Sequence, residues 1–248
     1  MDIIQSSALE VVDIRKSFGP RLVLDGLCLH VAEGEVVGLF GRDGAGKTTA
    51  FQCILGLTKP DWGRIVWRGR DITCLPFYRR AILGLGYLPE QTSVFRGLTV
   101  AQNIEAILET VEPDREYRAI RLQTLLDDLR IDHLRDASAL SLSGGERRRC
   151  EVARALALDP AIMLFDEPFA GIDPLTIISI KQIILQMKGR GIGVMLTDQN
   201  VPEMMQVIDR ACVIDAGRLI FDGPPSAMLL DRQVILKYLG ERTPSTAS

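Results

Sequence analysis

Three short stretches of this chain hold residue types that handle phosphate. In Gly41-Arg42-Asp43-Gly44-Ala45-Gly46-Lys47-Thr48, the glycines at 41, 44 and 46 let backbone N–H groups turn inward around an anion. A helix beginning near Lys47 aims the positive end of its dipole at the same point. Lys47 can bridge the outer phosphates of a nucleoside triphosphate, and the Thr48 hydroxyl can ligate Mg²⁺. Ala45 and Thr49 complete the cradle. The pattern is that of a P-loop, and its fixed positions recur by accident in roughly one chain in a hundred of this length. The second stretch, Ile162-Met-Leu-Phe-Asp166-Glu167, is an apolar strand that ends in two carboxylates. Asp166 can reach Mg²⁺ through its water shell, and Glu167 can polarise an attacking water. The third, Ser143-Gly144-Gly145-Glu146, spaces serine and glutamate as in a capping box. Capping explains Ser143 and Glu146. Two consecutive glycines at a helix start are costly, however, and suggest that backbone there approaches a second anion. One chain has one P-loop, so a second phosphate-reading surface makes sense if two copies pair head to tail by two-fold symmetry.

The elements that must position these groups alternate in type. Strand patterns run over Leu9–Ile14 and, with rough alternation, Val23–Val31. Val36–Phe40 is apolar throughout, as suits a strand covered on both faces, and the glycine-rich loop and a helix over Thr48–Leu57 follow it directly. Pro60 and Gly63 close that helix region, and Arg64–Trp67 reads as a strand. From Val100 to Leu158 the pattern is helical, with Leu122, Leu125, Leu126 and Leu129 on one stripe. After Pro160 come strand Ile162–Phe165, helix Leu175–Met187, strand Gly193–Leu196 and helix Val201–Ile208. Ala211–Asp215 and Arg218–Phe221 then form a pair across Ala216-Gly217. Such alternation predicts an α/β fold with a mostly parallel sheet and helices on both faces.

Composition narrows the classes. The 248 residues are 47% hydrophobic, enough for a sizeable core, and the net charge of -3 from 29 basic and 32 acidic residues leaves no footprint for nucleic acid. The arginines at 147 to 149 are flanked by Glu146 and Glu151, which argues against a nucleic-acid patch. The five cysteines, 28, 53, 74, 150 and 212, form no CxxC pair and each has apolar neighbours, so reduced core thiols are expected. The start of the chain, Met1 to Leu9, has no basic run followed by an apolar stretch, so a secretory signal is not expected. No apolar run reaches the length of a membrane span, so any membrane link is expected to come through a partner.

Leu142-Ser-Gly-Gly-Glu146 resembles the signature motif of the ABC ATPases. Together with Gly41–Thr48 and Ile162–Glu167, in that order, it extends the resemblance from Leu9 nearly to Gly240. Phe18 stands at the aromatic position that stacks on adenine in that family, and Gly171-Ile172-Asp173-Pro174 resembles the D-loop that crosses its dimer interface. Phe169–Pro174, Leu196-Thr-Asp198 with Asn200-Val201, and Gly86–Pro89 followed by Ser93–Arg96 are most similar to the ATPases of bacterial lipopolysaccharide export. The resemblance implies a P-loop NTPase fold: a RecA-like mixed, mostly parallel sheet with an antiparallel β edge and an inserted α-helical subdomain. It implies a single domain over 1–240, with the core at about 8–95 and 160–230, the helical part at about 96–159, and a disordered tail at 241–248. The implied ligands are ATP and Mg²⁺. Each of two ATP molecules would be held between the P-loop of one copy and Ser143, Gly144 and Gly145 of the other, with Asp173 nearby. The implied partners are membrane permease subunits docking near Phe95 and Arg96, with the chain on the cytoplasmic face of the inner membrane.

The chain departs from the family pattern at several positions. Gln199 stands where the family carries a histidine that contacts the γ-phosphate, and the only histidines, His30 and His133, lie in other elements. Glutamine still donates a hydrogen bond but cannot carry a charge or relay a proton, so slow hydrolysis and a persistent closed dimer are expected. At the Q-loop position, five before Phe95, stands Glu90 with Gln91 beside it. Either can offer Mg²⁺ an oxygen, and register favours Glu90. Asp43 takes a place often held by asparagine, and its charge is tolerable near phosphate only if the side chain turns outward. Two alternatives stay open: the ATPase of another transporter, such as branched-chain amino-acid uptake, and a non-transport dimer gated by nucleotide.

Overall fold

The computed structural model describes residues 7–239, so the tail expected to be disordered at 241–248 lies outside the described residues. A hairpin opens the chain, β1 (Ser7–Phe18) and β2 (Arg21–Ala32), and β3 (Val36–Phe40) leads into α1 (Lys47–Leu55). There follow β4 (Trp62–Trp67), β5 (Arg70–Asp71), α2 (Phe77–Ile82) and β6 (Leu85–Leu88). The helices α3 (Val100–Val111), α4 (Arg115–Asp128) and α5 (Gly144–Leu156) come next, with a short 3₁₀ turn at Asp132–Leu134 before α5. Then β7 (Ile162–Asp166), α6 (Pro174–Gly189), β8 (Gly193–Thr197), α7 (Val201–Met204), β9 (Arg210–Asp215) and β10 (Arg218–Gly223) alternate. The described chain closes with α8 (Pro225–Met228), α9 (Arg232–Val234) and a π-helical turn at Ile235–Leu239.

Two sheets result. One is antiparallel, in the order β2-β1-β4-β5, and the other has six strands in the order β10-β9-β3-β8-β7-β6. In the second, β9, β3, β8, β7 and β6 run parallel, and only β10 pairs antiparallel, as the expected edge. Every residue of β3, β7 and β8 is buried, which is why those segments read as continuous apolar runs rather than alternating ones. The P-loop follows β3 in the middle of the sheet, and the carboxylate pair follows β7, two strands away.

The buried Arg80, 1% exposed, fixes the far end of α1. Its guanidinium donates to the Cys53 and Ile54 carbonyls at the helix C-terminus, at 2.8 and 2.6 Å, and to the Leu75 and Thr73 carbonyls. A cation at a helix C-terminus complements the dipole, so α1 is held at one end by a positive charge while the other end faces the phosphate cradle.

Two expectations need correction. The helix expected over Val201–Ile208 ends at Met204, because the chain turns there and buries Val207 and Ile208 beneath β3, where Ile208 lies against Gly38. Cys53, Cys150 and Cys212 are buried, but Cys28 and Cys74 are exposed. Cys28 lies between buried Leu27 and Leu29 on β2, and neighbours in a strand point to opposite faces, so apolar flanks said nothing about its own side. Cys74 lies in the turn before α2.

Candidate functional site

The loop between β3 and α1 is shaped by close backbone packing. Gly46 has φ 110°, and a Cβ there would come within 2.9 Å of a Leu24 methyl and 3.0 Å of the Val23 carbonyl oxygen. A Cβ at Gly41 would lie 2.5 Å from the Ile214 carbonyl oxygen. Only glycine fits at either position. Lys47 is buried, and its ammonium donates to the carbonyl oxygens of Gly41 at 2.7 Å and Arg42 at 3.2 Å. Gly41 and Ala45 are buried beneath the loop, whereas Asp43 is exposed, as its charge requires.

A cavity of about 410 Å³ opens over this loop. Phe18, Asp43, Gly44, Gly46, Lys47, Thr48, Thr49 and Glu167 all line it, so both halves of the sequence-derived site meet there. Phe18 is 50% exposed, with the Lys16 ammonium 5.4 Å from its ring centroid, and offers a face rather than filling the core. Arg21 and Val23 also line the cavity and were missed from the sequence. The signal was present: the Gly19-Pro20 turn pairs Phe18 with Arg21 across the β1–β2 hairpin, and the Arg21 guanidinium comes near Gly44.

Asp166 is buried, and the Tyr87 hydroxyl donates to it at 3.3 Å. Burial pushes its carboxyl above the ordinary range; the Tyr87 hydrogen bond, Lys47 and Arg148 pull it back, and Glu90 pushes it further up. Glu167 takes a left-handed φ of 46°, an uncommon and strained conformation for a side chain of that size, and its N–H donates to the Thr197 carbonyl oxygen at 2.8 Å. Burial also raises its carboxyl, reinforced by Glu90, Asp198 and Asp166, and a hydrogen bond from the Gln199 side chain opposes the shift. Asp198 accepts from the Phe169 N–H at 2.7 Å and the Asn200 N–H at 2.8 Å, so it ties the loop after β7 to the loop that carries Gln199.

The remaining sequence-derived residues stand apart from the cavity lining. Ser143 caps α5 in a full capping box: its hydroxyl accepts from the Glu146 N–H, and the Glu146 carboxylate accepts from the Ser143 N–H at 2.8 Å. Both glycines lie in the first turn of α5. Gly144 is exposed, with no heavy atom within 4 Å of where its Cβ would be. Gly145 is buried, and its Cβ would come 2.4 Å from the Thr176 hydroxyl, so packing against α6 accounts for this glycine without a ligand. Gly145 thus has a steric reason of its own, and the expectation that both glycines serve an anion stands beside it. Asp173 caps α6 through the Leu175 and Thr176 N–H groups. Glu90, Gln91 and Gln199 are exposed. Of Glu90 and Gln91, it is Glu90 whose charge is felt by Asp166 and Glu167.

A larger cavity of about 510 Å³ lies beside Ala161 and Ile192, at the opening ends of β7 and β8, and holds none of the motif residues. Ligands of open α/β sheets sit at the other, C-terminal ends of the strands, where Lys47 and Asp166 are. The residues there fit Mg²⁺ as well as nucleotide. The Thr48 hydroxyl and the Asp166 and Glu90 carboxylates are hard oxygen donors, and the buried Thr197 hydroxyl, opposite Asp166 in the ladder, has no hydrogen-bond partner. Among the described residues no three His, Cys, Asp or Glu side chains form a metal cage.

A buried strand running through a glycine-rich turn into a helix, with paired acids on a nearby parallel strand, defines a P-loop nucleoside triphosphatase. Comparison with known proteins narrows this class. The ABC transporter family model matches residues 24–170. A probable ABC transporter ATP-binding protein of Azorhizobium caulinodans is 50% identical over 234 residues, covering 94% of this chain and 83% of that protein. The lipopolysaccharide export system ATP-binding protein LptB of Acidithiobacillus ferridurans is 46% identical over 237 residues, covering 96% of this chain and 98% of its own. The crystal structure of the ADP conformation of an ATP-binding cassette of an ABC transporter matches with a TM-score of 0.84 at 27% identity, over 95% of this chain and 99% of that one. The chain belongs to the ABC transporter ATP-binding family and is an ABC-type ATPase. Among the described residues no helix is long and apolar enough to cross a membrane.

The crowding of acids has a measurable consequence. A carboxyl whose pKa is raised in the folded state stabilises the fold below the ordinary glutamate range, and that stability is lost as pH rises through the raised value. Glu167→Gln should therefore raise the melting temperature of the nucleotide-free protein at pH 7 by roughly 1–3 °C, with the gain vanishing near pH 4. Calorimetry across that range checks it, and a wild type more stable than the variant at pH 7 contradicts it.

Proposed function

We propose that this chain binds MgATP and hydrolyses it slowly as one half of a head-to-tail pair, and that the pair drives lipopolysaccharide export through membrane permease subunits. The single observation that carries the catalytic part is that Lys47 and Glu167, from separate motifs, face one cavity beside Phe18. The cargo rests on the 46% identity, over nearly the whole of both chains, to a lipopolysaccharide export ATP-binding protein.

ATP enters with its base against Phe18 and its phosphates along the N–H groups of the loop. Lys47 gives up its two carbonyl partners and turns to the outer phosphates, where a full positive charge is worth most in a partly dry site. Thr48 and Asp166, with Glu90, would hold Mg²⁺, which would supply positive charge beside the triphosphate. Glu167 accepts a hydrogen bond from water and orients it for in-line attack on the γ-phosphorus. The P–O bond to ADP breaks as the new one forms, and the water proton passes to the Glu167 carboxylate and then to solvent. The raised pKa of Glu167 makes it a better proton acceptor than an ordinary glutamate. Gln199, on the loop after β8, donates an amide hydrogen bond to the phosphate but supplies no charge. Ser143, Gly144 and Gly145 of the second copy close the site, and Asp173 borders it. Docking of the permease near Phe95 and Arg96 holds the pair at the cytoplasmic face of the membrane.

Two outcomes follow from these roles. Gln199→His should raise phosphate release under saturating MgATP by about 10²-fold or more, whereas Lys47→Ala should abolish it. A Gln199→His rate equal to the parent's contradicts the slow-hydrolysis proposal. In detergent extracts, the tagged chain should bring down membrane permease subunits, and Phe95→Ala should release them. A chain recovered alone from cells that make those subunits favours a nucleotide-gated dimer without transport.

A further inference from the structure

The cavity of about 510 Å³ at the opening ends of β7 and β8 has no part in the reaction proposed above. Its floor is backbone where those strands begin: the Ala161 N–H donates to the Gly84 carbonyl oxygen, and the Gly193 N–H to that of Ala161, both at 2.9 Å. One wall is α4, which contributes Arg121, Thr124 and Leu125. Leu125, with Leu156 and Pro160, is buried and gives the cavity apolar sides. Apolar sides with a few convergent polar groups, at this volume, are the usual form of a small-molecule site.

The charges around it say what kind of molecule fits. Arg68, Arg121 and Arg190 line the cavity with Glu33, Asp128 and Asp159, so the formal charges cancel. Their pairing is uneven. Arg190 meets Asp128 at 2.8 Å, and Arg68 meets Glu33 where both are open to solvent. Arg121 has only Asp159, at 3.7 Å, which is beyond hydrogen-bond reach. The two also differ in exposure: the Arg121 side chain is 25% exposed and that of Asp159 is 86%. Water therefore solvates Asp159, while Arg121 is largely withdrawn from it, and among the described residues none accepts a hydrogen bond from its guanidinium. A guanidinium keeps its charge at any physiological pH and presents five N–H donors, so withdrawing it from water without acceptors is costly. The charge left short of a partner is a cation, and its planar fork matches the oxygens of a phosphate or a carboxylate. A phosphate monoester carries close to two negative charges near neutral pH, which answers two arginines better than a carboxylate does.

We propose that this cavity binds a soluble organic phosphate: Arg121 takes the phosphate group, Arg190 on the same cavity shares its charge, and the apolar sides hold the carbon chain. The ligand thereby joins α4 to the openings of β7 and β8. That end of the sheet is opposite the one where nucleotides sit in open α/β folds, so the site is separate from Lys47 and Asp166.

Calorimetric titration of the full-length chain with hexyl phosphate at pH 7.5 tests this. Wild type should bind it with a Kd of about 1 mM or tighter, and Lys47→Ala, which disables the phosphate cradle, should leave that binding unchanged. Inorganic phosphate, which lacks the chain, and hexan-1-ol, which lacks the anion, should each bind at least about tenfold more weakly. Arg121→Gln should weaken hexyl phosphate about tenfold or more. No binding by wild type overturns the proposal, as does binding that Arg121→Gln leaves unchanged, that Lys47→Ala removes, or that hexan-1-ol equals. If Arg121→Gln does not fold, Arg190→Gln, at a half-exposed side chain, should weaken binding by about two- to fivefold, and no change overturns the proposal. Vesicles of phosphatidic acid in neutral lipid should not displace hexyl phosphate, and displacement would assign the head group to a lipid and overturn the soluble ligand.

Discussion

Too many carboxylates crowd one end of a parallel sheet for the cations beside them. Asp166, Glu167 and Asp198 lie at the ends of β7 and β8, Glu90 acts on the first two, Lys47 and Arg148 oppose Asp166, and Arg148 opposes Asp198. Burial alone pushes all three sheet-end carboxyls toward their neutral forms. In the proposed reading, Mg²⁺ carried in with a triphosphate would relieve the crowding that the folded chain holds in place. The left-handed backbone at Glu167 is a second local cost in the same place, kept because β7 and β8 fix its flanks.

The two cations have different duties. Lys47 sits at the start of α1 on carbonyl partners it can exchange for phosphate, and Arg80 holds the other end of that helix, so the cradle does not drift. Arg148 is bound on several sides and is not free to reach a ligand. It extends the electrostatics of the site into α5, the helix whose capped end is available to a second copy.

Much of this was legible in the sequence because the informative segments are short and strongly patterned. The apolar β3, and β7 as far as Phe165, read as strands covered on both faces, and the glycine spacing after β3 has few uses other than a phosphate cradle. What escaped depends on residues distant in the chain. The arginines of α5 were weighed in the sequence only against a nucleic-acid patch, and nothing in helical periodicity shows that segment 89–95 lies across that helix. The cost of Gly145 suggested a ligand, whereas Thr176 supplies the steric reason. Arg21 entered the cavity through strand pairing, and Cys28 escaped the core because its apolar neighbours face the other way.

The claim on which function depends most is that one catalytic site is assembled from two copies of the chain. Mixing Lys47→Ala chains with Ser143→Arg chains and measuring ATP hydrolysis tests it directly. Neither variant alone has an intact site, but a mixed pair has one, formed by the P-loop of the Ser143→Arg chain and the α5 cap of the Lys47→Ala chain. Recovery of hydrolysis on mixing is the result this account requires. Activity no greater than the sum of the separate variants, in a mixture shown to exchange subunits, would contradict it.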